Sequence, residues 1–141
     1  MVKKFRSSCI IASALDLIGD KWSLLIIRDM LMFKKKTFKE LCDSEENVAT
    51  NLLSARLKLL ESLEVLNKRK LPTNKKENIY LLTDKGIQLA PIIMEIVIWS
   101  DNYVREYNAE MNINEYKTID KNKAINQVQK EYKEFAIQYE I

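Results

Sequence analysis

One stretch, residues 48–86, constrains this chain more than any other. VATNLLSARLKLLESLEV (48–65) carries leucines at helical spacing and reads as one amphipathic helix. NKRKLP and NIYLLT follow as two short strand-like runs. They are joined by TNKKEN, a polar tip with two lysines, and TDKG then opens another helix. A helix followed by a two-stranded hairpin with a basic tip is the winged helix-turn-helix arrangement. In it the helix enters the DNA major groove and the tip reaches along the backbone. The expected fold is therefore mainly α with a small β-hairpin wing, and the expected partner is double-stranded DNA.

Composition narrows the function further. Net charge is only +3, but residues 1–33, 34–76 and 77–141 carry +2, +5 and −4, so the surplus falls on the reading helix and wing. Phosphate neutralisation needs it there. The chain has no histidine, which removes histidine-based metal sites, general acid–base catalysis and Ser-His or Cys-His pairs. It also has no glycine-rich phosphate loop and no metal-ligand cluster. The expectation is a regulator rather than an enzyme, without cofactor or metal. The longest apolar run, 90–99, is interrupted by Glu95 and is too short to span a bilayer. A cytoplasmic protein with no membrane partner is expected. Cys9 and Cys42 are too few for a disulfide scaffold. With two Gly and two Pro in 141 residues, helices should dominate, in one compact domain with a modest core or in a small domain that completes its core by dimerising.

Around the reading helix, CIIASALDLIG reads as a first helix ended by Gly19, and DKWSLLIIRDMLMF as a second with Asp20 as N-cap. KKK is a linker or short strand. TFKELCDS is a third helix, with Thr37 and Glu40 in capping-box spacing. After the hairpin, one long dimerisation helix is expected over 83–107. Leu89, Ile92, Ile96, Trp99 and Tyr103 form one apolar stripe; Ala90, Ile93, Val97 and Val104 form another. A helix apolar on two sides must be covered on two sides. Residues 108–120 form a polar linker. A C-terminal helix over 120–140 places Ile125, Val128, Tyr132, Phe135 and Tyr139 at spacings of three and four. This seam is expected to contribute to a dimer; the alternative is packing back on its own subunit.

On a helical wheel, Ala49, Leu52, Leu53, Leu57, Leu60 and Leu63 gather on one side of the reading helix. Asn51, Ser54, Ala55 and Lys58 lie opposite, with Thr50 and Glu61 flanking. Asn can pair bidentately with adenine, Ser and Thr can bond several base edges, and Ala fits a thymine methyl. Lys58 suits a phosphate. Arg56 falls on the apolar side and has two readings. Either it pairs with an acidic neighbour such as Glu40 or Asp29, or it clamps a phosphate along the domain edge. In the wing, Thr73, Asn74, Lys75 and Lys76 are the expected contacts, with Lys68 and Lys70 on one face of the strand and Arg69 on the other. Lys34–Lys36 and Lys39 either extend this footprint or are simply solvated. Cys9, near Lys3, Lys4 and Arg6, is either a reactive thiol or a small buried hydrophobe; Cys42 reads as packing.

Taken in order, Cys9, ALDLIGDKW (14–22), LLIIRDM (24–30), TFKEL (37–41), LLSARLKLLE (52–61), YLLTDKG (80–86) and Trp99 resemble the HxlR-type regulators of the winged helix-turn-helix group. The chain departs from that pattern at Ile10, where the family has proline, at Glu64, where a glycine ends the reading helix, and at Lys68 or Arg69, one of which takes the place of a usual arginine. Its wing also lacks a second proline run. The resemblance spans about residues 8–107 and implies a DNA-binding domain with its dimerisation helix there; residues 108–141, a linker and C-terminal helix, are expected as a dimer contact from the seam alone. The resemblance further implies a homodimeric transcriptional repressor. Some members respond to oxidants or electrophiles through an N-terminal cysteine, a role that carries over only to Cys9, with a small-molecule or oxidant inducer. The alternative function is a winged-helix protein-interaction module without specific DNA binding, which salt dependence would distinguish.

Overall fold

The computed structural model describes residues 4–71 and 73–140. Among these residues, seven α-helices and one hairpin follow in the order α1 (Ile10–Ile18), α2 (Lys21–Phe33), α3 (Phe38–Cys42), α4 (Thr50–Ser62), β1 (Leu66–Lys70), β2 (Asn78–Leu82), α5 (Asp84–Ile87), α6 (Ala90–Tyr103) and α7 (Lys121–Ala136). A short 3-10 turn, Ile137–Tyr139, ends the described chain. Helix starts follow local chemistry. The Asp20 carboxylate accepts from the Ser23 amide and hydroxyl, and Thr37 with Glu40 closes a capping box at α3. The core runs between α2, α4, the hairpin and α7, around Ile27, Met30, Leu53, Leu60, Leu66, Ile79 and Tyr132.

The hairpin is antiparallel, in register from Leu66 opposite Leu82 to Lys70 opposite Asn78. β2 is the inner strand, and its outward amides are satisfied on the far side. The Tyr80 amide donates to the Lys36 carbonyl at 2.7 Å, and the Leu82 amide to the Tyr132 hydroxyl at 2.8 Å. β1 is the edge strand, protected by its exposed Lys68, Arg69 and Lys70.

α4 ends as a Schellman motif: the Val65 amide bonds the Leu60 carbonyl and the Glu64 amide bonds the Glu61 carbonyl. Glu64 occupies the left-handed position at φ 61°, where glycine is the usual residue. The hairpin then returns to the same corner. Thr83 Oγ1 donates to the Glu64 and Val65 carbonyls, and a Cβ on Gly86 would come within 2.2 Å of the Val65 carbonyl oxygen. TDKG is therefore a lock between the end of α4 and the hairpin's return.

Three expectations are corrected. The helix expected over 83–107 is two, α5 and α6, because Pro91 has no amide to bond the Ile87 carbonyl and its ring would clash there. That carbonyl instead accepts from Gln129 Nε2 of α7 at 3.3 Å. The C-terminal seam is spent on its own chain: Val128 and Tyr132 are buried, as are Ala124 and Ala136 beside them, against α2, α6 and β2. Ala49 is an exposed N-cap residue of α4 rather than part of its apolar side.

Candidate nucleic-acid interface

α3, the turn over 43–49 and α4 form the helix-turn-helix. Asn47 takes a left-handed conformation in that turn (φ 57°), which asparagine tolerates better than most residues. Arg28 on α2 fixes the turn from behind. Its guanidinium lies 2.8 Å from Glu46 and 2.6 Å from Asp29. The Arg28 hydrogen bond holds the Glu46 carboxyl below its usual range.

α4 buries Leu53, Leu57 and Leu60. Thr50, Asn51, Ala55 and Lys58 are exposed and Ser54 is half-buried, so the polar face expected from the wheel is the outward one. Arg56 lies off that face and pairs with neither Glu40 nor Asp29. Its Nε sits 3.5 Å from Asp20 Oδ2, buried and without a hydrogen-bond partner among the described residues. Burial pushes the Asp20 carboxyl up, but the two Ser23 hydrogen bonds and the Arg56 charge outweigh it and hold the group below its ordinary value. Arg56 thus ties α4 to the start of α2, which sets how α4 is presented. Sequence reasoning missed Asp20 because its N-cap role was already sufficient to explain it.

In the wing, Lys68, Arg69, Thr73, Asn74, Lys75 and Lys76 are all exposed. Asn74 shapes the tip: its Oδ1 accepts from the Lys76 amide and its carbonyl from the Glu77 amide. Pro72, at the strand-to-tip junction, lies outside the described residues. Two of the three linker lysines are committed internally. Lys35 Nζ donates to the Asp43 carbonyl at 2.7 Å, and Lys36 lies over the Tyr139 ring. They do not extend the wing's surface as loose cations.

An exposed polar helix face, a basic hairpin tip and a rigid corner joining them are the parts a DNA reader needs. A family model described as HxlR-like helix-turn-helix matches residues 17–108. The chain belongs to the HxlR-like helix-turn-helix family. Among its relatives, the HTH-type transcriptional regulator YodB of Bacillus subtilis (strain 168) is 36% identical over 91 residues, which cover 64% of this chain and 80% of YodB. The solved reduced form of YodB superposes with a TM-score of 0.57 at 34% identity, covering 69% of this chain and 95% of that one. The crystal structure of PA1607, described as a putative transcription factor, reaches a TM-score of 0.69 at 32% identity, covering 82% of this chain and 80% of that one. The HxlR-like match and these relatives make the chain a DNA-binding transcriptional regulator of winged-helix fold, not an enzyme. Among the described residues, no helix is long and apolar enough to cross a membrane.

Cys9 is the N-cap residue of α1 and is exposed; its amide donates to Ser7 Oγ. Arg6, one of the cations near Cys9 in sequence, is paired with Asp16. Cys42 is half-buried against the core, and both cysteines are free thiols. Lys3 lies outside the described residues.

Proposed function

We propose that this regulator acts as a homodimeric repressor that places α4 in the major groove and the wing tip on the flanking backbone. Thr50, Asn51, Ser54 and Ala55 read base edges in this arrangement. Lys58, Lys68, Arg69, Thr73, Asn74, Lys75 and Lys76 contact phosphate and sugar. The observation that carries the reading is the outward polar face of α4 beside a lysine-bearing wing tip, both fixed at the Glu64–Thr83 corner. Repression is carried over from the family resemblance, and a reporter behind the operator reads it directly.

Dimerisation is supported by two apolar surfaces that one chain leaves uncovered. α1 has nine residues and buries none of them, while Ile10, Ile11 and Leu15 face outward. Isolated helices shorter than about 12–15 residues are marginal in water, so α1 needs a cover. α6 presents Ile92, Ile96, Trp99 and Tyr103, with Ile92, Ile96 and Trp99 lining an open groove beside Pro91 and Glu95. A two-fold operator would set these faces against each other and complete both. Cys9 begins α1, so chemistry at its sulfur acts at the edge of that interface. YodB has been solved in quinone-bound and diamide-treated forms, which supports a thiol-based response to an oxidant or electrophile in this chain.

The test separates base readers from backbone contacts. Asn51→Ala should relax preference at particular base pairs, by about 1–3 kcal/mol each. Lys75→Ala with Lys76→Ala should weaken binding to all duplexes alike and flatten the salt dependence. Uniform loss for Asn51→Ala, with altered preference for the wing variant, would reverse the assignment.

A further inference from the structure

The segment after the family match folds back to close a second cleft. Its apolar lining comes from Met94 and Ile98 of α6, Tyr116 and Ile119 of the linker and Ala124 of α7. The polar lining comes from Asp101 and Asn102 on α6, Asn114 and Lys117 in the linker, and Lys121 on the first turn of α7.

The charges along this lining are not equally available. Asp101 is already paired with Arg105 at 2.6 Å, and Lys121 with Glu95 at 2.6 Å. Asn114 is engaged too: its Oδ1 accepts from the Tyr116 amide. Lys117 acts on Asp101 through charge and makes no ion pair within 4.0 Å among the described residues. The Asn102 amide makes no side-chain hydrogen bond among the described residues. What remains for a ligand is one cation and one neutral amide in a partly apolar lining. The space is about 240 Å³. That is below the roughly 300–1,000 Å³ of pockets for drug-sized ligands. It suits one ring or a short branched chain.

We infer that this cleft binds a small organic anion, a carboxylate on an apolar body of about one ring. The carboxylate meets Lys117 and Asn102, and the body rests on Met94, Ile98 and Tyr116. Occupancy has a mechanical route to the interface, and this half of the inference rests on the DNA-binding reading. The ligand touches α6, which bears the exposed stripe, and the first turn of α7. Two and three turns further along, Gln129 and Tyr132 hold the Ile87 carbonyl and the Leu82 amide at the base of the wing. A shift of α7 therefore reaches both the dimerising face and the hairpin, and the ligand biases DNA binding only as far as it prefers one arrangement.

Benzoate is the probe, titrated at millimolar concentration into the full chain without DNA and followed by NMR. The expected result is shifts confined to Met94, Ile98, Asn102, Tyr116, Lys117 and Ala124. Benzylammonium, of the same size and opposite charge, should produce none. Lys117→Ala, at an exposed position, should weaken benzoate by about tenfold or more. Absent or scattered shifts, equal binding of benzylammonium, or an unaltered Lys117→Ala variant would overturn the site. The second arm measures DNA affinity with and without benzoate. A change in wild type that Lys117→Ala abolishes supports the regulatory half. Unchanged affinity overturns that half and leaves DNA binding itself standing. Benzoate binding by a chain that binds no duplex would instead count against the proposed function and for the site.

Discussion

At the scale of single residues, Tyr132 has a polar role that its place in an apolar seam conceals. It is 0% exposed, and its hydroxyl accepts from the buried Leu82 amide at 2.8 Å. Tyr132→Phe keeps the ring and removes the acceptor, so chemical denaturation should show a loss of about 1–3 kcal/mol. Burial pushes the phenol up to about 12. The unfolded chain therefore loses this proton first, near pH 10, and the associated stability is present below that pH and disappears as pH rises towards 12. Wild type should lose this increment in alkali and Tyr132→Phe should not. Glu64 gives the opposite sign. Its left-handed backbone costs a non-glycine residue about 1–2 kcal/mol, partly offset by glycine's greater flexibility when unfolded. Glu64→Gly should therefore raise the midpoint of thermal unfolding, and an unchanged or lower midpoint would mean that the Glu64 side chain itself stabilises this corner. At Cys9 the proposal predicts that Cys9→Ser keeps DNA binding but removes its sensitivity to quinone or diamide. Cys42→Ser should leave that response intact. Full modification of Cys9 with undiminished DNA binding would reduce it to a surface thiol.

Among the elements, what could be read from sequence was whatever is decided locally. The caps at Asp20 and Thr37, the polar face of α4 and the hairpin's lysine tip depend on neighbours a few residues away, and all are as expected. At Glu64 the sequence marked only a departure, a helix-ending glycine position held by another residue; the left-handed backbone there belongs to the structure. Pro91 held the signal that divides α5 from α6, and the apolar periodicity running across it hid that break. Other features depend on distant partners and leave no local trace. A three-four seam looks the same whether it meets a second chain or α2, and the Arg56–Asp20 contact joins positions 36 residues apart in sequence. The caps also set an acid limit. Asp20 and Glu40 both have folded-state carboxyls held below their ordinary values: burial opposes this, and the hydrogen bonds they accept prevail. Their contribution is present above about pH 4 and is lost as pH falls through the lower folded-state values. Asp20→Asn retains a capping oxygen but carries no charge. Its stability should fall less steeply below pH 4 than that of wild type, which thermal melts across that range will show.

For the whole molecule, α7 changes which surface is left to make a dimer. With Val128 and Tyr132 buried inside the chain, the proposed dimer is left with α1 and the outer stripe of α6 as its apolar surfaces. Ile10 is 88% exposed and Trp99 60%, with the Trp99 and Tyr103 rings 5.8 Å apart on the same face. Open apolar clusters of this kind mark protein contacts, membrane contacts or ligand grooves, and the proposed dimer uses this one as a protein contact. Sedimentation at micromolar concentration should therefore give one species near twice 16.6 kDa. Ile96→Asp places a charge in the middle of that stripe without touching the buried face of α6 formed by Ala90, Ile93 and Met94. It should yield folded monomers whose helical signal is reduced only by what α1 contributes. Because each monomer retains α4 and the wing, single half-sites should still be bound weakly, while the advantage of two half-sites about one helical turn apart disappears. A seam-directed change, Ile125→Asp, should lower stability without altering the dimer. If Ile125→Asp dissociated the dimer and Ile96→Asp did not, the roles of α6 and α7 would have to be exchanged.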